Sequence, residues 1–286
     1  MLISGKDLLA VAAANDFAVP AFNVSDYSML RAIVEIAEEK QAPLIIAIHP
    51  NEIANLGWDV MPSVIQIARK ASVPVAIHWD HGADYEQILQ AIQGGFTSVM
   101  IDGSLLPFEE NVAITKKVVD AAHAVGVSVE GELGTIGKTD TYAESGADSI
   151  VYTVPADAVS FVERTGVDSL AIAIGTRHGI YPSDLQPELK LDLLEEINRV
   201  VEVPLVLHGG SNNPDAEIGQ AAHSGVNKIN ISSDIKIAYY DREREILQDA
   251  QLREPDAIQP PCRAALKEVA AQKIDLFGAA GKAALY

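Results

Sequence analysis

Three histidines stand far apart in this chain, yet each comes shortly after a short apolar run: His81 in "VPVAIHWDHG", His178 in "LAIAIGTRHG" and His208 in "PLVLHGG". Three imidazoles with an open position beside them are a common catalytic zinc arrangement. One such histidine alone is more often structural. Carboxylates accompany them in the same kind of place: Asp80 beside His81, Asp102 after "SVMI", and Glu130 and Glu132 in "SVEGE". Imidazoles that bind a cation, with carboxylates as acid/base groups beside them, would suit metal-assisted chemistry. His123 and His223 fall inside helical patterns and read as structural or exposed.

A second group suits an anion. "LHGGSNNPD" (207–215) supplies Gly209, Gly210 and Ser211, and "NISSD" (230–234) supplies Asn230, Ser232 and Ser233 before a helix. Glycines let backbone N–H groups approach a phosphate, serines add donors, and the helix N-terminus favours negative charge. Either stretch alone is an ordinary turn; together they are a moderately specific signal.

What must position these groups is a repeating unit. Short apolar runs predict strands at Val19–Val24, Pro43–Ile48, Val73–His78, Ser98–Ile101, Ser128–Glu132, Ser169–Ile174, Pro204–Leu207 and Val226–Ile231. Helical patterns lie between them; Val112, Thr115, Val118, Val119 and Ala122 recur at helical spacing. Near-continuous apolar strands imply a parallel sheet covered on both faces. Eight such units fit an α/β fold of the (β/α)8 TIM barrel type, with the strands' C-terminal ends forming the active rim. Extra C-terminal helices follow, between Asp234 and Lys273. An open doubly wound sheet is less consistent, because "AFNVSDYSML" lacks the Gly-rich turn of a dinucleotide site. With no linker or convincing repeat, residues 1–286 read as one domain. The polar stretch 134–153 breaks the rhythm, and loops of that length are usually functional.

Composition narrows the partners. Forty acidic residues against 21 basic give a net charge of −19, and no Lys/Arg cluster marks a nucleic-acid face. No apolar run reaches membrane-spanning length. The apolar N-terminal stretch lacks a basic leader and reads as a short amphipathic helix. A single cysteine, Cys262, permits no internal disulfide. These features predict a cytoplasmic protein.

Eight stretches in order resemble the class II fructose-bisphosphate aldolases, especially the branch containing the tagatose-bisphosphate aldolases: "PAFNV", "HWDHG", "MIDGS", "LPFEENV", "VEGELG", "AIGTRHGIY", "LVLHGGS" and "KINISSD". The resemblance covers nearly the whole chain. It implies a zinc-dependent (Zn2+) homo-oligomeric barrel, a homodimer or homotetramer, that cleaves a ketose phosphate reversibly to dihydroxyacetone phosphate and an aldehyde. It implies that His81, His178 and His208 are the zinc ligands and that Asp80 exchanges a proton with the C4 hydroxyl. Asn23, Gly179, Gly209, Gly210, Ser211, Asn230, Ser232 and Ser233 fall at substrate-binding positions, near which many relatives hold a monovalent cation (Na+ or K+). Asp102, Glu130 and Glu132 then orient imidazoles or hold metal in an alternate position.

The chemistry agrees. No lysine stands at a strand end to form a Schiff base, since Lys228 lies inside the eighth strand. A Lewis acid must therefore stabilise the enediolate. Rival readings are a metal-dependent hydrolase, which would usually show an H-x-H pair at the first strand, and a non-catalytic sugar-phosphate-binding protein, which would be expected to lose a ligand or the base.

The sequence departs from the family at four places. Loop 134–153 offers Asp140, Tyr142 and Glu144 rather than the usual Gly-rich, Glu-containing stretch. His49 stands where relatives place a small hydroxyl residue, Arg177 where close relatives often carry alanine, and Asn212–Asn213 where a glycine is frequent. His49 and Arg177 are candidate specificity residues, and the expectation is an aldehyde other than glyceraldehyde 3-phosphate.

Overall fold

The computed structural model describes residues 1–139, 146–147, 149–182 and 188–286. Its strands are β1 Val19–Asn23, β2 Leu44–Ile48, β3 Val75–Gly82, β4 Ser98–Ile101, β5 Ser128–Leu133, β6 Gly137–Lys138, β7 Ser169–Ile172, β8 Arg177–His178, β9 Leu205–Leu207 and β10 Val226–Ile231. The helices used below are α1 Gly5–Ala14, α2 Tyr27–Glu39 and α3 Pro50–Leu56. After them come α4 Met61–Lys70, α5 Tyr85–Gln93, α6 Phe108–His123, α7 Pro155–Thr165, α8 Leu191–Val200, α9 Asp215–His223, α10 Ser233–Ile246 and α11 Pro255–Leu276.

Eight strands close into a parallel barrel in the order β1-β10-β9-β7-β5-β4-β3-β2, and β6 pairs with β8 as a separate two-stranded sheet. The α/β barrel is thus the expected TIM-type fold, and α10 and α11 are the expected C-terminal helices. Among the described residues, no helix is long and apolar enough to cross a membrane. The N-terminal apolar stretch forms α1, capped by Ser4, whose side chain accepts from the Asp7 N–H. It packs under the barrel so closely that a Cβ on Gly5 would lie 2.7 Å from Ser98 Oγ.

Side chains of a strand alternate between its two faces. On β5, Ser128, Glu130 and Glu132 therefore share the interior, as do Lys228 and Asn230 on β10, and His78 and Asp80 on β3. Ile77 and Trp79 face outward; Trp79 stacks on Trp58 with ring centroids 5.5 Å apart and meets Phe96 edge-on. The barrel interior consequently holds a buried polar layer in place of the usual branched aliphatics.

The third strand corrects the expected boundary. It runs to Gly82 rather than ending at His78, so "HWDHG" lies inside it. Its pairing with β4 shifts register between Trp79 and Gly82, and His81 adopts φ +53°. That left-handed residue is uncommon outside glycine and short polar side chains. It breaks the alternation, so His81 points toward the mouth beside Asp80 instead of away from it. Gly82 allows the close packing there, because a Cβ would meet the Met100 carbonyl at 2.7 Å.

Candidate active site

The strand ends gather one cavity lined by Asn23, Asp80, His81, His178, Gly179, His208, Gly209, Ser211, Asn230, Ser232, Ser233 and Lys236. Most of the anticipated residues are thus brought together. Gly210 is not among the lining residues; its N–H donates to the Asn230 carbonyl at 3.0 Å. His178 lies in β8, beyond the end of β7, not at the strand end itself. β8 is held by β6, and the Thr139 N–H and hydroxyl both donate to the His178 carbonyl, at 2.9 and 2.8 Å.

His81, His178 and His208 each offer a nitrogen, and the three lie within 4.8 Å of one another. The far side of two rings is already committed. His208 Nε2–H donates to Glu130 Oε1 at 2.8 Å, and His81 Nδ1–H donates to Asp102 Oδ2 at 2.9 Å. His208 Nδ1 is then a buried acceptor with no hydrogen-bond partner. An unpaired buried polar atom is costly, and a cation bound by the three imidazoles would satisfy it. The donor set therefore fits a divalent metal with nitrogen ligands. His81, Asp102 and Glu132 form a second, overlapping group able to hold a cation.

Electrostatics sorts these groups. Burial, and then the nearby His81 charge, lowers the pKa of His178 and of His208, so both imidazoles are kept neutral. Burial alone would do the same to His81, but Asp80 and the Asp102 hydrogen bond outweigh it and raise its pKa to about 10. A metal at this site competes with that proton. Asp80 is buried, which disfavours its charge, yet His81, His208 and Lys228 hold its carboxyl well below the usual range. Glu132 goes the other way, raised by burial and by Asp102.

Asp80 is clamped from two strands. Asn23 Nδ2 donates to Oδ2 at 2.8 Å and Asn230 Nδ2 to Oδ1 at 3.0 Å, while Oδ1 lies 4.0 Å from His208 Nδ1. A fixed, ionised carboxylate next to the three imidazoles suits proton abstraction. Beneath it, Lys228 Nζ lies 2.8 Å from both oxygens of Glu130 and donates to His78 Nε2 at 3.2 Å. His78 in turn bonds Ser98 Oγ at 2.8 Å, which makes it a supporting interior residue.

The loops after β9 and β10 carry the expected anion cradle. Ser211 Oγ accepts from the N–H groups of Ser232 and Asp234 at 3.2 and 3.3 Å, at the start of α10. Gly179 and Gly209 have φ of +96° and +63°. Asn212 takes φ +56°, and Asn213 Nδ2 donates to the carbonyls of Gly209 and Ser211 at 2.7 and 2.9 Å. The two asparagines thus hold the turn where a glycine is frequent in the family.

His49 and Arg177 are not among the lining residues. His49 caps α3, with Nδ1 accepting from the Asn51 N–H, and its ring centroid is 6.0 Å from that of His81. Arg177 packs against Gly137, whose added Cβ would meet its Cγ at 2.8 Å, and its N–H donates to Tyr181 Oη. Asp140, Tyr142 and Glu144 lie outside the described residues. His123 bonds buried Asp168 at 2.7 Å, and His223 Nδ1 approaches the Asp16 carbonyl at 3.4 Å; neither joins the cavity. Sequence reasoning missed Lys236 and its partner Glu52. Lys236 stands three residues after Ser233, one turn into the helix of the anion cradle, and that spacing was the available signal.

A parallel barrel whose mouth joins a three-imidazole cluster, a buried carboxylate and an anion cradle has the make-up of a metal-dependent enzyme for phosphorylated substrates. Residues 3–282 match the family described as fructose-bisphosphate aldolase class-II, and the chain belongs to that family. It is therefore an aldehyde-lyase by family. A fructose-bisphosphate aldolase of Thermus caldophilus is 39% identical over 305 residues, covering 99% of this chain and 100% of the relative. The solved YdjI aldolase of Escherichia coli K12 superposes with a TM-score of 0.86 at 38% identity, covering 99% and 100% of the two chains. A fructose-bisphosphate aldolase of Campylobacter jejuni shares the fold, with a TM-score of 0.81 at 24% identity over 98% and 96%.

Proposed function

We propose that this aldolase uses zinc on His81, His178 and His208 to cleave a ketose phosphate, of the 1-phosphate or 1,6-bisphosphate class, reversibly to dihydroxyacetone phosphate and an aldehyde, and that its preferred aldehyde is not glyceraldehyde 3-phosphate, which favours the 1-phosphate. The observation that carries the reading is the buried, unpartnered His208 Nδ1 only 4.0 Å from the Asp80 carboxylate. A cation held there would stand beside a base, which supports this reading.

Asp80 takes the C4 hydroxyl proton. The C3–C4 bond then breaks, its electrons pass toward the C2 carbonyl as an enediolate, and C4 leaves as the aldehyde. Zinc held by His81, His178 and His208 would supply the Lewis acidity that stabilises the developing enediolate. Asn23 and Asn230 aim Asp80. Asp102 and Glu130 orient His81 and His208, a support that metal-binding histidines usually have. Gly179, Gly209, Gly210, Ser211, Asn230, Ser232 and Ser233 hold the substrate's dihydroxyacetone phosphate portion, with a monovalent cation near the phosphate. An acid from loop 134–153 returns a proton to C3. The enzyme works as a cytoplasmic homodimer or homotetramer.

Steady-state cleavage of fructose and tagatose 1,6-bisphosphates tests the aldehyde assignment. Both should be poor substrates. A kcat/KM above about 10⁴ M⁻¹s⁻¹ for either would overturn it.

A further inference from the structure

Lys236 lines the cavity, and its Nζ donates to Glu52 Oε1 at 2.8 Å. Glu52 is buried and firmly fixed. Its Oε2 accepts the His49 N–H at 2.8 Å, completing the capping box of α3, and Ser25 Oγ donates to Oε1 at 3.2 Å. The carboxylate is thus tied to the β1–α2 loop, to the start of α3 and to α10, and it cannot swing away from the ammonium.

The position of this pair relative to Asp80 gives it meaning. Asp80 is clamped by Asn23 on β1 and Asn230 on β10. A C4 hydroxyl that meets Asp80 therefore lies over these two strands. With the phosphate end in the loops after β9 and β10 and C4 over β10 and β1, substrate atoms beyond C4 would extend toward the β1–β2 side of the mouth, where Ser25, Glu52 and Lys236 converge.

We propose that Glu52, acting through Lys236, is a specificity-determining residue that selects an unphosphorylated, hydroxyl-bearing aldehyde. This rests on the aldolase reading above and deepens it. A phosphate dianion binds best to a cation whose charge is not already offset. Here the ammonium is neutralised at contact distance, and the carboxylate repels a second anion in a partly buried setting where screening is weak. The pair still offers N–H donors and carboxylate lone pairs, which match hydroxyl groups. Repulsive elements of this kind are one of the two ways a site discriminates between partners.

The test compares condensation of dihydroxyacetone phosphate with D-glyceraldehyde and with D-glyceraldehyde 3-phosphate, using metal-loaded wild type and Glu52→Gln. Glutamine can keep the cap on α3 while removing the charge. The wild type should favour the unphosphorylated acceptor in kcat/KM, and Glu52→Gln should move the ratio toward the phosphorylated one by about tenfold or more, the scale of relieving a close like-charge contact. Wild-type preference for the phosphorylated acceptor overturns the proposal, whether or not the variant folds. So does a ratio that Glu52→Gln leaves unmoved. Absence of condensation with either acceptor would instead overturn the aldolase reading itself.

Discussion

Lys228 holds Glu130 with its Nζ 2.8 Å from both carboxylate oxygens, and the same Glu130 Oε1 accepts from His208 Nε2 at 2.8 Å. The barrel's buried lysine therefore reaches the three-imidazole cluster through one carboxylate. Lys228→Met would leave the buried Glu130 carboxylate without its ammonium partner, and breaking a buried ion pair typically costs about 3–5 kcal/mol. Glu130 would also orient His208 less firmly, and disturbing such a support weakens metal binding by about 10–100-fold. Denaturant unfolding and chelator competition would measure the two losses. Wild-type metal affinity in a folded variant would show that Glu130 does not need Lys228.

His78 supplies a pH dependence. Burial, and then the Lys228 charge, lowers its pKa from 6.5 to about 3, so the folded protein keeps it neutral. Unfolding exposes it, and below pH 6.5 the unfolded chain takes up a proton that the native state refuses. Its contribution is present above that value and is lost as pH falls toward about 3. His78→Gln should flatten stability against pH in this window by up to about 1.4 kcal/mol per pH unit, one proton's worth. Unfolding curves from pH 4 to about 7 would check this across the shifted range; an unchanged slope would contradict it.

Gly82 fixes the bend that presents His81. A methyl group there meets Ile88 Cδ1 at 2.6 Å and the Met100 carbonyl at 2.7 Å. Gly82→Ala should cost about 1–3 kcal/mol through overpacking and displace His81, lowering metal affinity as well. Calorimetry with and without added zinc separates the two effects. A variant with native stability and native metal affinity would show that the bend tolerates a side chain.

Metal binding itself should weaken in acid. Imidazole ligands must be neutral, so binding releases protons. His178 and His208 are already neutral, so the proton to be displaced is that of His81, whose pKa is raised to about 10; affinity should fall as pH drops below that value, and chelation should abolish cleavage until zinc is restored. Activity that survives exhaustive chelation would oppose the proposed chemistry.

The barrel was legible because each strand is a bounded apolar run, a signal carried by neighbouring residues. The third strand's end was not. Asp80 and His81 look like loop residues, and only the register shift and the His81 backbone conformation show that the strand continues through them. The histidine triad was legible from strand-end positions and from family resemblance, although His178 owes its place to the two-residue strand β8. Lys228 was correctly placed inside a strand, but its bond to Glu130 spans 98 residues and follows from barrel closure. The Glu52–Lys236 pair spans 184 residues and joins two helices. Nothing local announces that contact, although the His49-to-Glu52 spacing matches a helix cap.

The most direct test is proton exchange at C3 of dihydroxyacetone phosphate in D2O, followed by NMR for the zinc-loaded enzyme, the chelated enzyme and zinc-loaded Asp80→Ala. Enolisation needs the cation site but not the base that serves the C4 hydroxyl. Exchange should therefore occur in the loaded enzyme, vanish on chelation and largely persist in Asp80→Ala, while that variant's ketose cleavage falls by about 10²–10⁴-fold. Exchange that survives chelation, or full cleavage by Asp80→Ala, would contradict the paired roles of the metal site and Asp80.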